Sequence, residues 1–98
     1  MFFELLEKMK EFHIKKNADY AGDVPLNNLK YSEVFGIEAW RGVLIRMGDK
    51  WSRILELTKN GKTHVEDEKL EDTLLDMANY CLLCIILMRE AGNNKSES

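Results

Sequence analysis

The sequence has little of what several classes of protein require. Its 98 residues contain one proline and six glycines, which excludes collagen-like chains and Pro/Gly-rich disorder. Two cysteines are too few for a disulfide-stapled secreted domain. The longest apolar stretch, Met77 to Met88, is shorter than the roughly 20 residues that cross a bilayer. Acids interrupt the N-terminal apolar residues, so we expect no export signal and a soluble, cytoplasmic protein.

A basic surplus is also missing. Seventeen acidic and fourteen basic residues give a net charge of −3, so we expect no stable nucleic-acid binding. The charge is uneven, because the segment from Thr63 to Asp76 holds six acids and one lysine and the remaining chain is therefore basic. The first acids of this segment suit the N-terminus of a helix, where the helix dipole is positive.

Apolar residues recur at helical spacing, which predicts an all-α chain of three main helices. The helices are expected at about 2–16, 36–58 and 65–91, with a short helical turn at 29–35. Asparagine, aspartate, glycine and proline cluster at 17–28, which predicts a loop. Residues 1–92 are expected to form one domain, and residues 93–98 a disordered tail.

The third helix is apolar on nearly all sides between residues 77 and 88. Such a helix must be covered all round, and two other helices of a small chain are too few. The sequence therefore predicts a homo-oligomer with this segment at its interface. Cys81 and Cys84 lie within it and are expected to be buried free thiols.

Two glycines interrupt the second helix, Gly42 and Gly48, and each lowers helix stability by roughly 1 kcal/mol relative to alanine. They are either tolerated or required by the close approach of another backbone or a ligand. The sequence alone favours neither interpretation.

Polar residues follow one line along the third helix. Asp72, Asp76 and Asn79 are spaced i, i+4, i+7 and therefore share a face, and Glu68 extends the line by one turn. A solvated face is the simpler interpretation. The line nevertheless enters the apolar half of the helix, where polar groups need partners. Carboxylate oxygens without a suitable His or Cys favour Mg²⁺, with Mn²⁺ possible, over zinc.

A second line runs along the second helix, where Arg46, Asp49 and Arg53 share a face and Lys50 lies beside it. Surface ion pairs would explain the pattern and contribute little stability. The functional interpretation is a metal-binding carboxylate, Asp49, flanked by cations that hold phosphate oxygens. If the two helices pack antiparallel, the two lines face each other across a cleft.

The predicted loop and its approach carry further polar residues. Lys16 is a candidate phosphate ligand, and Asn17, Asp19 and Tyr20 are candidates for contacting a base or sugar. Turn formation and packing explain the same residues, and their spacing alone does not favour binding.

Three blocks of the sequence resemble a known family. They are K-N-A-D-Y-A-G at 16–22, I-R-M-G-D-K-W-S-R at 45–53 and E-D-T-L-L-D-M-A-N-Y at 71–80. Together they resemble the phage and bacterial nucleotide modification associated domain family, which is similar to the all-α MazG-like nucleoside triphosphate pyrophosphohydrolases. The resemblance covers most of the chain, from about His13 to Met88. If the chain is phage-encoded, its expected location is the host cytoplasm.

The resemblance implies a MazG-like helical bundle formed by oligomerisation. It also implies Mg²⁺-dependent hydrolysis of a (deoxy)nucleoside triphosphate to monophosphate and pyrophosphate. Asp72 and Asp76 would represent the second acidic pair of those enzymes, with Asn79 as a polar neighbour, and Asp49 would represent the first pair. The second helix carries one acid where the MazG-like enzymes have an E-x-x-E pair.

Two other functions remain open. The same cationic residues suit a phage-type protein that sequesters a nucleotide or a nucleotide signal without turnover. A structural helical oligomer is the third possibility, and it predicts no thermal shift with any nucleotide.

Overall fold

A computed structural model describes residues 1–20, 27–59 and 64–97, and its regular elements there are all helical. Helix α1 spans Phe2–Tyr20, a 3-10 helix spans Asn27–Phe35, α2 spans Ala39–Lys59 and α3 spans His64–Glu97. The prediction of an all-α chain with three main helices and a short helical turn is confirmed. Within the described residues, no helix has the length and apolar character needed to cross a bilayer.

Two helices are longer than the sequence predicted. Helix α1 continues to Tyr20, so the predicted loop does not begin at Asn17. Residues 17–20 contain neither glycine nor proline, and the strong breakers Gly22 and Pro25 come later. Helix α3 continues through Gly92 to Glu97, because one glycine is tolerated in a long helix. No side chain is described beyond Gly92, and disorder of residues 93–98 stays a prediction.

The 3-10 helix ends at a glycine and packs against another. Gly36 has a positive φ of 76°, which a residue without a Cβ adopts readily. Its N–H donates to the Glu33 carbonyl at 3.0 Å and thereby closes the last turn. A Cβ on Gly42 of α2 would collide with the Ser32 side chain, so Gly42 permits this close approach. Nothing lies within 4 Å of the corresponding point on Gly48.

Helices α2 and α3 pack antiparallel, with two contacts fixing their register. The Cys84 thiol donates to the Trp40 carbonyl at 3.5 Å, and ten residues further along α2 the Lys50 ammonium meets Asp76. The core surrounds the first of these contacts. Its buried members are Leu29, Val43, Cys84 and Leu87.

The residues through which α2 and α3 face each other form a seam. On α2 these residues recur at alternating spacings of three and four. Buried or half-buried members of this seam on α2 are Trp40, Val43, Met47, Lys50, Ile54 and Leu57. The matching positions on α3 are Thr73, Asp76, Tyr80, Leu83 and Leu87, with Cys84 beside them. This spacing is that of helices packing side by side over several turns.

Helix α1 contacts a different sector of α3. The Asn79 amide donates to the Met9 carbonyl at 3.1 Å, and Lys8 forms an ion pair of 3.0 Å with Glu71. Helix α3 is therefore covered by α2 on one sector and by α1 on another. A third sector, containing Leu74, remains exposed.

Candidate functional site

The pair formed by α2 and α3 has two flanks, and one of them carries most of the polar residues predicted from the sequence. In an antiparallel pair, the residue that precedes each seam position in the sequence lies on one flank of the pair. The residue that follows each seam position lies on the other flank. The first flank also carries the apolar residues Leu82 and Ile86, which line a pocket with α1. The predicted polar residues of this flank, together with the two charged seam residues, are here named the polar side. Its residues are Arg46, Asp49, Lys50, Arg53, Asp72, Asp76 and Asn79.

The polar side is also the side on which α1 lies. Asn79, at the edge of the polar side, and Glu71, further around α3, both bond to α1. The antiparallel packing of the second and third helices, which the facing of the two polar lines requires, is present. It brings the two predicted lines of polar residues onto a common side of the molecule.

An ion pair joins the two lines at the seam. Lys50 Nζ lies 2.9 Å from Asp76 Oδ2, and the side chains are 30% and 13% exposed, respectively. The same ammonium lies 5.9 Å from the centroid of the Tyr80 ring, within range of a cation–π interaction. Partial burial strengthens the attraction between the charges, because fewer water molecules screen them than at the surface.

Tyr80 was not among the residues singled out from the sequence. Its position one turn after Asp76 on α3 is the signal that places both side chains on one face. The ring therefore lies where it contacts the cation that pairs with Asp76.

The other charged members of the polar side are exposed. Arg46, Asp49 and Arg53 on α2 and Asp72 on α3 all project into solvent. Among the described residues, no three His, Cys, Asp or Glu side chains are placed together so that they would hold a metal ion. The structure thus gives a surface with cations and carboxylates side by side rather than a closed metal cage.

Asn79 is held by α1. Its Nδ2 donates to the Met9 carbonyl, so this amide group positions α1 on α3. The three residues of the line, Asp72, Asp76 and Asn79, therefore have different environments. Its first member faces solvent, the second meets Lys50 and the third meets α1.

The remaining candidates belong to the end of α1. Lys16, Asn17, Asp19 and Tyr20 form the last turns of this helix. Their side chains lie outside the described part of the structure, as does that of Glu68. Their predicted contacts with phosphate, base or sugar therefore stay predictions.

The two cysteines differ in environment. Cys84 is buried in the core, and desolvation together with the nearby Cys81 raises the pKa of its thiol. Cys81 is exposed in the single chain, so the prediction of a buried thiol is confirmed for Cys84, and for Cys81 it depends on the predicted oligomer. The reason for this exposure is that Cys81 lies on the flank opposite the polar side, which α1 does not reach.

The donor set of the polar side fits Mg²⁺. Asp72 and Asp76 are carboxylates one helical turn apart, and Asp49 lies on the facing helix. Mg²⁺ usually binds one or two protein carboxylates, several waters and substrate phosphates, so a complete protein cage is not required. The Lys50 ion pair engages Oδ2 of Asp76, and a metal ion bound to that oxygen would have to replace this contact.

The fold and this surface define an all-α protein whose longest helices form an antiparallel pair with a charged flank. A family model, nucleotide modification associated domain 1, matches residues 36–88. The chain belongs to this family, as the resemblance predicted. The match includes the blocks at 45–53 and 71–80, and the block at 16–22 lies outside it. The match spans α2 and most of α3, which carry the whole polar side.

The other comparisons give no match. Neither the curated proteins nor the solved structures contain one that matches this chain. Similarity to the MazG-like enzymes therefore stays a prediction. The family description relates the chain to nucleotides and names no reaction.

Proposed function

We propose that the polar side binds a (deoxy)nucleoside triphosphate and catalyses its Mg²⁺-dependent hydrolysis to monophosphate and pyrophosphate. The observation that carries this proposal is the arrangement of Lys50 and Asp76. A half-buried cation and a half-buried carboxylate meet between exposed arginines and exposed carboxylates, in a family described as associated with nucleotide modification. A surface with both positive and negative groups suits a nucleoside triphosphate that carries a bound Mg²⁺ ion.

The phosphate groups are assigned to the cations of α2. Arg46 and Arg53 lie two turns apart on one face of the helix and are exposed, so both are accessible to an incoming anion. Guanidinium groups bind phosphate oxygens through two parallel hydrogen bonds. Lys50 lies between them and contributes a third positive charge. Lys16, at the end of α1, is assigned to the same phosphates.

Asp49, Asp72 and Asp76 are the residues assigned to Mg²⁺ or Mn²⁺. A bound ion of this kind supplies charge neutralisation of the phosphates and a water of lowered pKa. The chain's own contribution is to place two carboxylates on one face of α3, opposite the cations of α2. Lys50 holds Asp76 in place and also compensates part of the carboxylate charge before any ligand arrives.

The base and sugar are assigned to Asn17, Asp19, Tyr20 and Asn79. The hydrogen bond from Asn79 to Met9 supports this assignment indirectly, because it fixes α1 beside the polar side. An amide, a carboxylate and an aromatic ring are the groups with which proteins hydrogen-bond and stack on bases.

The test is a panel of nucleoside triphosphates with and without Mg²⁺, analysed for pyrophosphate and monophosphate. Asp72→Asn removes one exposed carboxylate and is expected to abolish Mg²⁺-dependent pyrophosphate release while leaving helicity unchanged. Glu33→Gln, an equally exposed carboxylate on the 3-10 helix, is the control and should retain full turnover. Unchanged turnover in Asp72→Asn would contradict the assignment.

A second candidate function is nucleotide binding without turnover, as in a sequestering protein of phage type. The Lys50–Asp76 ion pair favours it, because it occupies a carboxylate that hydrolysis would need for the metal. This candidate predicts tight binding that is insensitive to EDTA, with the ligand recovered intact. If no nucleotide shifts the melting temperature, a purely structural oligomer is the better interpretation.

The proposal includes a cellular location and an oligomeric state. The chain is expected to act in the cytoplasm, or in the host cytoplasm if a phage encodes it, where nucleoside triphosphates are available. It is also expected to act as a homo-oligomer through residues 77–88.

A further inference from the structure

The two partners of the ion pair in the seam differ in their access to solvent. The Lys50 side chain is 30% exposed, whereas that of Asp76 is 13% exposed. The Lys50 ammonium lies 2.9 Å from Oδ2 of Asp76 and thereby occupies one of the two carboxylate oxygens. A ligand that arrives from solvent therefore meets the lysine more readily than the aspartate.

Lys50 also has cationic neighbours on its own helix. Arg46 lies four residues before it and Arg53 three residues after it, so the three cations are on adjacent positions of one side of α2. Both arginines are exposed. A lysine carries its charge on a flexible stem of four carbons, so rotation about the bonds of that stem moves the ammonium towards the arginines. This movement requires no displacement of the helix.

The Tyr80 ring lies beside the same ammonium. Nζ of Lys50 is 5.9 Å from the ring centroid, at the outer range of the attraction between a cation and an aromatic face. Tyr80 is half-buried and lies one turn after Asp76 on α3. This attraction does not depend on the carboxylate, so it persists when the ammonium leaves Oδ2.

We propose that Lys50 exchanges Asp76 for a phosphate oxygen when a nucleotide binds, and that this exchange makes nucleotide binding and divalent-cation binding depend on each other. The inference rests on the proposed function, which assigns phosphates to Lys50 and a divalent cation to Asp76. A half-buried charge is costly without a partner. Lys50 therefore leaves the carboxylate where a phosphate replaces it, and the carboxylate is then accessible to the cation that accompanies the nucleotide.

The exchange predicts how the two affinities are related. Without nucleotide, Lys50 competes with a divalent cation for Oδ2 and repels it, so the cation binds weakly. Nucleotide binding draws Lys50 away, and the affinity for the cation rises. By linkage, the cation raises the affinity for the nucleotide by the same factor. The ion pair therefore favours the cation-bound nucleotide over either component alone.

The test measures the binding of Mn²⁺ and of non-hydrolysable analogues of the common nucleoside triphosphates separately. Electron paramagnetic resonance follows Mn²⁺ and calorimetry follows the analogue, so neither measurement requires turnover. Lys50→Met should bind Mn²⁺ alone at least about tenfold more tightly than the wild type, because the competing charge is gone. The same variant should bind the analogue about tenfold more weakly, because it lacks a phosphate partner.

Arg53→Gln is the matched control on α2. It removes the same unit of charge at an exposed position three residues from Lys50. It should weaken analogue binding but change the affinity for Mn²⁺ alone by less than about threefold, because water and salt screen exposed charges. An equal gain in Mn²⁺ affinity in both variants would be a general charge effect and would overturn the exchange.

Two variants of Tyr80 test whether its ring positions the ammonium. Tyr80→Leu removes the aromatic face and should weaken analogue binding by about two- to fivefold. Tyr80→Phe keeps the face and should bind the analogue as the wild type does. Equal losses in both variants would overturn the role assigned to the ring.

A measurement on the wild type keeps the proposal testable if Lys50→Met fails to fold. The ¹⁵N NMR signal of the Lys50 ammonium is identified by its loss in Lys50→Arg. This signal should shift when the analogue and Mg²⁺ are added together, and it should stay in place with Mg²⁺ alone. A signal that does not shift when the analogue binds would overturn the exchange.

The results separate this inference from the proposed function. Analogue binding by the wild type, with no gain in Mn²⁺ affinity in Lys50→Met, overturns the exchange and leaves the proposed site intact. The expected changes in Mn²⁺ and analogue affinity, without pyrophosphate release by the wild type, support the exchange and overturn hydrolysis. Absence of both Mn²⁺ and analogue binding in the wild type and all variants overturns both.

Discussion

Lys50 and Asp76 meet at 2.9 Å within the seam between α2 and α3. Apart from Thr73, the other seam positions named above hold uncharged, largely apolar residues, so this pair forms the one charged layer among them. Removing one partner leaves the other charge half-buried without it, which destabilises a fold more than the pair stabilises it. The pair therefore fixes the register of the two helices at least as much as it adds stability.

A double-mutant cycle is the direct test of this layer. Lys50→Met and Asp76→Leu are each expected to lower the free energy of unfolding by about 1–3 kcal/mol. Replacing both residues by Met and Leu should restore most of the loss, because a matched apolar layer removes both half-buried charges. Urea denaturation of the four proteins measures the coupling.

An exposed ion pair provides the control. Lys59 and Glu56 are 70% and 72% exposed at 3.6 Å, so Lys59→Met should change stability by less than about 0.5 kcal/mol. If Lys50→Met were equally neutral, the charged layer would have no role in stability.

The glycines of α2 and α3 are predicted to respond differently to alanine. Gly42→Ala should destabilise the protein by about 1–3 kcal/mol, because its Cβ would collide with Ser32. Gly92→Ala meets nothing within 4 Å and should stabilise α3 by up to about 1 kcal/mol. Thermal unfolding by circular dichroism measures both changes. A neutral Gly42→Ala would show that the 3-10 helix adjusts its position without loss.

Phosphate binding is predicted to depend on the arginines of the polar side. Arg53→Gln should weaken the affinity for a nucleoside triphosphate about tenfold or more, since it removes a bidentate donor of the anion site. Arg89→Gln changes an equally exposed arginine on α3 outside the polar side and should leave the affinity unchanged. Isothermal titration calorimetry at fixed salt compares them. Equal losses in both variants would indicate a general charge effect instead of a site.

The buried thiol predicts how stability varies with pH. Desolvation in the core, and then the nearby Cys81, raise the pKa of Cys84 in the folded chain. Because this pKa is raised on folding, the unfolded chain loses the thiol proton at a lower pH than the folded chain does. The contribution of the protonated thiol to the free energy of unfolding is therefore complete below the ordinary thiol pKa of about 8.5 and declines at higher pH. Cys84→Ala should reduce the fall in unfolding free energy between about pH 8 and 10. An unchanged slope would assign that fall to other groups.

The sequence by itself determined the helical content and the family. Spacings of three and four predicted the main helices, and the short turn at 29–35 is the 3-10 helix that the structure contains. Both depend on local periodicity and short motifs, which a sequence carries directly. Helix ends were less predictable. Residues 17–20 and Gly92 lie within helices because moderate penalties there are smaller than the gain from continuing a helix.

Only the tertiary structure decided what each side of the helices contacts. Asp72, Asp76 and Asn79 lie within about 60° of one another on α3, as their spacing predicts. That narrow stripe falls at the boundary between α1 and α2, so neighbouring residues of one line face solvent, a lysine and a backbone carbonyl. Likewise, periodicity showed that residues 77–88 are apolar, but it did not show which sector of α3 remains exposed in the folded chain. Both outcomes follow from the rotation and register of packed helices, which depend on residues far apart in the chain.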